Sequence, residues 1–392
     1  MDQAAAEGQT LEGQTRLPVR FAGSGSEYFR IWIVNLLLTI VTLGLYHPWA
    51  KVRKLRYFYG NTLVGEHALD FHGDPKRMLR GFLLVGALLV AYSVAGQVSP
   101  TAGLIALVVV AAVWPALFRA AMQFRLANTS WRGMRFHFNG ELAGAYKALL
   151  PLFIPGMLFL GFLQGLPDDP KAAPPDWLTA GLLISQLAVF AVLPLGWWAI
   201  KRYQHNHYLF GTVQTQLRAG PGSFYGVFFK TLGVVLLLAF ACGAAVAVAA
   251  AGAGVSLFAR QPSAEGMKFA FAAIGIVAVV GYIGFIVLVQ SYFASRMQNL
   301  LWNRTKSTRV RFESRLRVRP MLWLTLKNWL LTLLTLGFYW PFAAIATARL
   351  KLESVTVFTR TDPDQIVERA RLVNADASGE AAADLFGIDV GL

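Results

Sequence analysis

An all-α polytopic membrane protein built from internal repeats is the fold class this sequence predicts, and three observations carry it. The 392 residues are 56% hydrophobic and only 15% charged, with a mean hydropathy of +0.49, far more apolar surface than one soluble core can bury. Eight apolar segments fall at about 31–49, 78–98, 102–118, 144–165, 177–200, 224–251, 269–295 and 322–346, several of them reaching the roughly 18 residues that cross hydrocarbon as a helix. The wording NLLLTIVTLGLYHP, from Asn35 to Pro48, returns as NWLLTLLTLGFYWP from Asn328 to Pro341, and identical spacing at such separation signals internal repetition. Alternating barrel strands of about ten residues are absent, so the spans are read as helices.

The segments in between set the topology. Linkers 51–80, 119–147, 201–230 and 296–327 carry net charges of about +4, +4, +4 and +8, whereas 97–103, 164–176 and 252–268 are close to neutral. The first set is expected in the cytoplasm and the second outside. The overall +15 is thereby explained by topology, and nucleic acid is not expected as a partner. Residues 1–15 lack the basic and apolar regions of a signal peptide. The lone cysteine, Cys242, excludes an intrachain disulfide and a multi-cysteine metal site.

Basic linkers share a plan. Each span leaves the membrane through rings and then cations, as in Pro48-Trp49-Ala50-Lys51 or Tyr292-Phe293-Ala294 with Arg296, the composition of an interfacial belt. A polar turn and a short alternating stretch follow, such as Met134 to Phe138, Thr212 to Arg218 and Arg309 to Phe312, which reads as short cytoplasmic β-strands. Several end on an aromatic two residues before glycine, as Phe21-Ala22-Gly23, Phe71-His72-Gly73 and Phe138-Asn139-Gly140 do. The chain therefore reads as five degenerate copies of one unit, with about six full spans in the middle three. The two terminal Thr-Leu-Gly segments either cross once or turn back as re-entrant helices, with Gly44, Pro48, Gly337 and Pro341 marking the break; repeat parity favours the return. Flexible tails are expected at 1–16 and, acidic and Ala/Gly-rich, at 358–392, around a repeat-built domain at 17–357, with a short helix near Asp364 to Val373.

From Tyr28-Phe29-Arg30-Ile31-Trp32 through Thr42-Leu43-Gly44-Leu45-Tyr46 and Pro48-Trp49-Ala50-Lys51-Val52-Arg53 to Arg56-Tyr57-Phe58-Tyr59-Gly60-Asn61-Thr62, the chain resembles the opening of the YjgN family, bacterial inner-membrane proteins defined by a domain of unknown function. The resemblance extends over about 17–357. It implies a multi-span helical protein of the cytoplasmic membrane, and no catalytic residue or cofactor. After its proline the second copy departs from the first, with Phe342-Ala343-Ala344-Ile345-Ala346 in place of Trp49-Ala50-Lys51-Val52-Arg53.

Candidate sites follow from polar residues at unusual places. Asn35 with Thr39, and Asn328 with Thr332, sit one helical turn apart in the two end copies. They either glue helices together or line a polar path between repeats. The run Arg304, Lys306, Arg309, Arg311, Arg315, Arg317 and Arg319 would array cations along strand faces for anionic phospholipid headgroups. His47, His67, His72, His137, His205 and His207 lack a metal-ligand spacing and are read as structural, so no metal is expected, although His205-x-His207 could put two rings on one strand face. Nucleophile elbows, Walker loops and HExxH are missing, as are acids within the spans. The reading is a non-enzymatic inner-membrane protein, without cofactor, that transports or accommodates a small molecule or lipid. The alternative is a membrane-embedded scaffold recruiting a cytosolic protein or anionic lipid to its basic face, with strand pairing as one means.

Overall fold

The computed structural model describes residues 14–167, 169, 171–252 and 264–368; the tails expected at 1–16 and 358–392 lie outside these residues up to 13 and beyond 368. Short strands alternate with pairs of helices in one order throughout. β1 (Thr15–Phe21) leads to α1 (Gly25–Val41) and α2 (His47–Gly60). β2 (Thr62–Val64) and β3 (His67–Phe71) lead to α3 (Pro75–Val98) and α4 (Pro100–Ala127). β4 (Thr129–Trp131) and β5 (Met134–Phe138) lead to α5 (Leu142–Leu163) and α6 (Asp176–Asn206). β6 (Tyr208–Phe210), β7 (Val213–Gln214) and β8 (Gln216–Leu217) precede α7 (Pro221–Gly252), α8 (Ala264–Gly284), a π-helical turn at Phe285–Val289 and α9 (Gln290–Arg304). β9 (Thr305–Lys306) and β10 (Val310–Ser314) lead to α10 (Val318–Leu334), α11 (Trp340–Glu353) and β11 (Val355–Thr359).

The chain is mostly helical, and six helical runs among the described residues are long and apolar enough to span a membrane: α3, α4, α5, α6, α7 and the continuous α8–α9. The number agrees with the six full spans expected in the middle, and each terminal Thr-Leu-Gly segment is two shorter helices joined by a turn. The all-α expectation needs correction. The strands join into a single eleven-stranded sheet in the order β7-β6-β5-β4-β3-β2-β1-β11-β10-β9-β8, with antiparallel pairing throughout. Strands of two to seven residues cannot satisfy their edges alone, and joining end to end solves the problem. The two ends of that order, β7 and β8, are halves of one extended segment interrupted only at Thr215, whose N–H still reaches Tyr208 O at 3.0 Å. One half pairs with β6 and the other with β9, so chain continuity closes the sheet into a ring.

Helix pairs stand on this ring and are fastened to it by one recurring hydrogen bond. The backbone N–H of the first residue after a strand donates to the carbonyl of the last residue of the following helix pair or the one just past it: Ala22 to Asn61 (2.9 Å), His72 to Asn128 (2.8 Å), Asn139 to His207 (3.1 Å), Arg218 to Arg304 (2.8 Å) and Arg315 to Ser354 (2.9 Å). Every pair therefore leaves and re-enters at the sheet, the terminal pairs included, and a single crossing by 31–49 or 322–346 is overturned. Neighbouring pairs touch all the way round, with α1 closing onto α11 through Phe29–Phe342 and Trp32–Trp340 ring contacts.

The aromatic-x-glycine wording acquires a packing reason. Phe21, Phe71 and Phe138 fold back so that a Cβ on Gly23, Gly73 or Gly140 would fall 2.8, 2.4 or 2.5 Å from the ring. Each ring also meets the helix pair it follows or precedes: Phe21 against Phe58, Phe71 against Tyr59, Phe138 against Tyr203. Tyr57 and Tyr203 finish the joint by donating to Ser24 O and Glu141 O, both at 2.9 Å.

Some local expectations also change. Strand character ends at Ser314, so Arg315, Arg317 and Arg319 do not continue a strand; Arg317 caps α10, and Pro320 occupies its first turn, where no N–H is needed. His205 and His207 do not share a strand face: His205 is buried at the end of α6 with Nδ1 at 2.8 Å from Thr305 Oγ1, and His207 Nδ1 lies 2.7 Å from Tyr203 O.

Candidate functional site

The duplicated Thr-Leu-Gly wording builds a specific turn. In the first copy Gly44 N–H donates to Thr39 O (2.7 Å) and Leu43 N–H to Ile40 O (3.1 Å); in the second, Gly337 N–H donates to Thr332 O (2.7 Å) and Leu336 N–H to Leu333 O (3.1 Å). This is the paired bonding of a Schellman cap. Leu43 and Leu336 take the left-handed position at φ +50°, and Gly44 and Gly337 follow at +91° and +93°. The Thr42 and Thr335 hydroxyls then accept Tyr46 N–H and Tyr339 N–H at 3.0 and 2.9 Å, starting α2 and α11, where Pro48 and Pro341 sit in the first turn, fully buried.

The two asparagines close the same hairpins from inside. Asn35 Nδ2 reaches Ala50 O at 3.5 Å, and Asn328 Nδ2 reaches Ala343 O at 3.3 Å and Thr347 Oγ1 at 3.2 Å. Thr39 Oγ1 donates to Asn35 O at 2.6 Å. Each asparagine bonds across its own hairpin and none of these bonds joins Asn35 to Asn328. Both Oδ1 atoms are buried without a partner. Such weak, half-satisfied bonds contribute little, about 0.6–2 kcal/mol each within a membrane. We expect Asn35→Ala with Asn328→Ala to lower the melting temperature by a few degrees without unfolding the protein, as read by a thermal shift in detergent; no shift would remove the packing role.

The basic run is dispersed rather than aligned. Arg304 ends α9, Lys306 lies opposite Arg311 in the sheet, and Arg309 Nη1 binds Thr212 Oγ1 at 3.2 Å. Arg311 stacks over Phe358 at 4.9 Å and Arg315 pairs with Glu313. Arg317 and Arg319 are exposed at the start of α10. The sheet register puts Arg16, Phe358, Arg311, Lys306 and Gln216 side by side on one face, a polar rim around the ring. No group of three or more His, Cys, Asp or Glu suited to a metal occurs among the described residues.

The feature that sequence reasoning missed lies between α7 and the α8–α9 run. Near the far end the two helices touch: a Cβ on Gly281 would fall 2.9 Å from Cys242 Sγ, and one on Gly284 3.4 Å from Leu238. At Phe285–Val289 the backbone widens into the π-turn, and the helices part around a cavity of about 450 Å³. Phe228, Leu232, Val235, Phe285, Ile286, Val289 and Phe293 wall it, with Thr231 and Gln290 the polar exceptions. Thr231 spends its hydroxyl on Val227 O at 2.8 Å. Exposed cations stand at the cavity's sheet-side end: Lys230 adjoins Thr231, and Arg296 lies one turn beyond Phe293, over the Tyr292 ring at 5.3 Å. Counting helical rise from the sheet, both lie at a height of about 12–13 Å, as does exposed Lys51 on α2. Other cations on these helices, such as Arg53 and Arg56, lie nearer the sheet, so these three are placed to meet lipid phosphates at the outer edge of a basic belt. A π-turn in an unbroken apolar run, FIVLV, leaves no mark that a sequence pattern could reveal.

Comparison with known proteins bears on this architecture directly. Residues 16–385 match a family described as bacterial proteins of unknown function, DUF898. The chain belongs to this family. The YjgN family resemblance rests equally on curated relatives. An inner membrane protein YjgN from Salmonella typhimurium is 25% identical over 346 residues, covering 83% of this chain and 84% of the relative. Proteins of the same name from Escherichia coli O157:H7 and K12 are 31% identical over 144 residues and 26% identical over 180, covering 36% and 45% of this chain and 35% and 44% of those relatives. No solved structure matches. With six membrane-length apolar runs, this family member is a multi-pass protein of the inner membrane.

Proposed function

We propose that the protein accommodates an anionic phospholipid, with an acyl chain in the cavity between α7 and the π-turn and the phosphate beside Lys230 and Arg296. One observation carries this reading: a nearly all-apolar cavity that ends at the height of two exposed cations. The shape suits an amphiphile whose charged end stays at the interface. A polar solute would face Phe and Val side chains with few groups to replace its water. The five-copy repeat fits the same reading, because among the described residues only the fourth copy carries a π-turn and so differs where specialisation is needed.

Scaffolding by strand pairing is less well supported, since ring closure takes up the edges that a partner strand would need. The five recurring joints support treating the chain as five copies of one unit, two of them short.

The test is lipid retention in nanodiscs of mixed phosphatidylglycerol and phosphatidylcholine, read by native mass spectrometry. Val289→Trp should fill the cavity and remove most bound lipid of either kind. Lys230→Gln with Arg296→Gln should keep a bound lipid but lose the anionic preference, by about 2 kcal/mol or roughly thirtyfold for the two cations. Unchanged retention in Val289→Trp overturns the assignment.

A further inference from the structure

The strand ring has two chemically distinct faces. Paired residues share a face, and the register runs Val19–Val64–His67, Leu69–Trp131–Met134, Phe136–Phe210–Val213, Leu217–Thr305 and Phe312–Val357–Leu17 along one of them. That face is apolar. The opposite face carries Arg16, Arg20, Arg135, Lys306 and Arg311.

The chain beyond β11 and the burial of the two faces decide which one is inside. Residues 363–368 form a helical turn, with Pro363, Ile366 and Val367 buried and Asp364 exposed. Val367 packs on Met134 and Phe210, and Asp364 pairs with Arg132 between β4 and β5. Met134 of β5 and Phe210 of β6 both stand on the apolar face, so Val367 lies against that face. On that face Leu17, Val19, Met134, Val213 and Leu217 are all buried, whereas Arg16, Arg20, Arg135 and Arg311 on the other face are exposed. A closed ring shields its inner face, so the buried apolar face is the lumen, and the segment of Ile366 and Val367 lies against it.

Arg132 is built to receive an anion there. Its side chain is only 13% exposed, its Nε is buried without a partner, its guanidinium lies 5.1 Å from the Trp131 ring centre, and its backbone is held at φ +52° in the β4–β5 turn. Asp364 supplies the counter-charge, and that hydrogen bond holds its carboxyl below the usual carboxylate range. A buried cation left without such a partner is costly, so the site calls for a carboxylate with an apolar body attached.

We propose that the strand ring is a binding site for a medium-chain fatty acid, occupied by the chain's own segment 363–368 and exchangeable with it. The carboxylate takes the place of Asp364 on Arg132, and the alkyl chain takes the place of Ile366 and Val367 against Met134 and Phe210. Displacement frees the segment into the cytoplasm, which gives the ligand a way to signal its presence.

The test uses the full chain in nanodiscs, with Cys242→Ala removing the native thiol and a single reporter cysteine introduced. Met134→Cys should react with a soluble maleimide at least tenfold more slowly than Arg135→Cys, its neighbour on the outer face. Asp364→Ala with Val367→Asp should bring the two rates together. Dodecanoate, at concentrations where dodecanol has no effect, should slow Met134→Cys again in that opened chain, and Arg132→Gln should abolish the protection. If the double variant does not give monodisperse protein, Asp364→Asn alone should accelerate labelling at least threefold. Equal rates at the two cysteines with the segment intact, or no response to either loosening variant, overturn the plug; equal action of dodecanoate and dodecanol overturns the carboxylate site.

Discussion

Arg218→Pro is expected to yield no folded protein, while Arg218→Ala is expected to be indistinguishable from the parent in yield and melting temperature. The side chain is exposed and can be removed without consequence, so the difference between the variants isolates one backbone N–H. That group donates to Arg304 O at 2.8 Å, fastening the fourth helix pair. It also lies immediately after Leu217, whose pairing with Thr305 is part of the closure of the ring. Proline removes the donor and restricts the residue before it, for about 3 kcal/mol or more locally. At this position the local loss spreads, because opening the ring exposes strand edges and the apolar lumen together. Size-exclusion profiles of the three proteins would decide it; a monodisperse Arg218→Pro peak would mean that four joints suffice.

Gly44→Val combined with Gly337→Val should be nearly as damaging, although nothing stands within 4 Å of a Cβ at either position. The expected cost is conformational. At φ +91° and +93° a β-branched residue is strained by about 1–2 kcal/mol or more per site, and two independent sites add. The opposite substitution one residue earlier should have the opposite sign. Leu43→Gly relieves a non-glycine residue at φ +50° and should stabilise the turn by up to about 1 kcal/mol in detergent, measured by thermal unfolding. If Leu43→Gly and Gly44→Val shift the melting temperature the same way, the turn is not limited by backbone strain.

Much of this was visible in the residues, and what was hidden has identifiable causes. Helix pairs, basic joints and the returning Thr-Leu-Gly wording could be read because each uses side chains whose chemistry is explicit: a hydroxyl to start α2, a proline tolerated in its first turn, a glycine under a phenylalanine ring. The position of the break was read at Gly44, whereas the left-handed cap residue is Leu43, a residue that propensity would not choose there. Ring closure was not legible, since β7 and β8 are two residues each and their partners are set by register with distant strands. The segment from Asp362 to Glu368 was read as part of an acidic tail with a short helix near Asp364 to Val373, because its two aliphatic residues, Ile366 and Val367, are too few to register in a hydropathy window; the burial of Val367 depends on Met134 and Phe210, far away in sequence. The candidate cavity depends on a helical register shift and on where two helices diverge, neither of which leaves a compositional trace.

The terminal helix pairs are short, and α1 and α11 place them side by side in the ring. With seventeen residues in α1 and in α10, their turns rise about 26 Å from the sheet, or about half the hydrocarbon thickness above the cation level at 12–13 Å. Leu43 at 94% exposure and Leu336 at 89% crown them. A lipid of the outer leaflet standing over these two residues would meet protein near the bilayer midplane instead of a wall, while the helices of the other three sectors are long and apolar enough to cross. The expected result is a notch on one side of the protein, where acyl chains from opposite leaflets would be separated by protein.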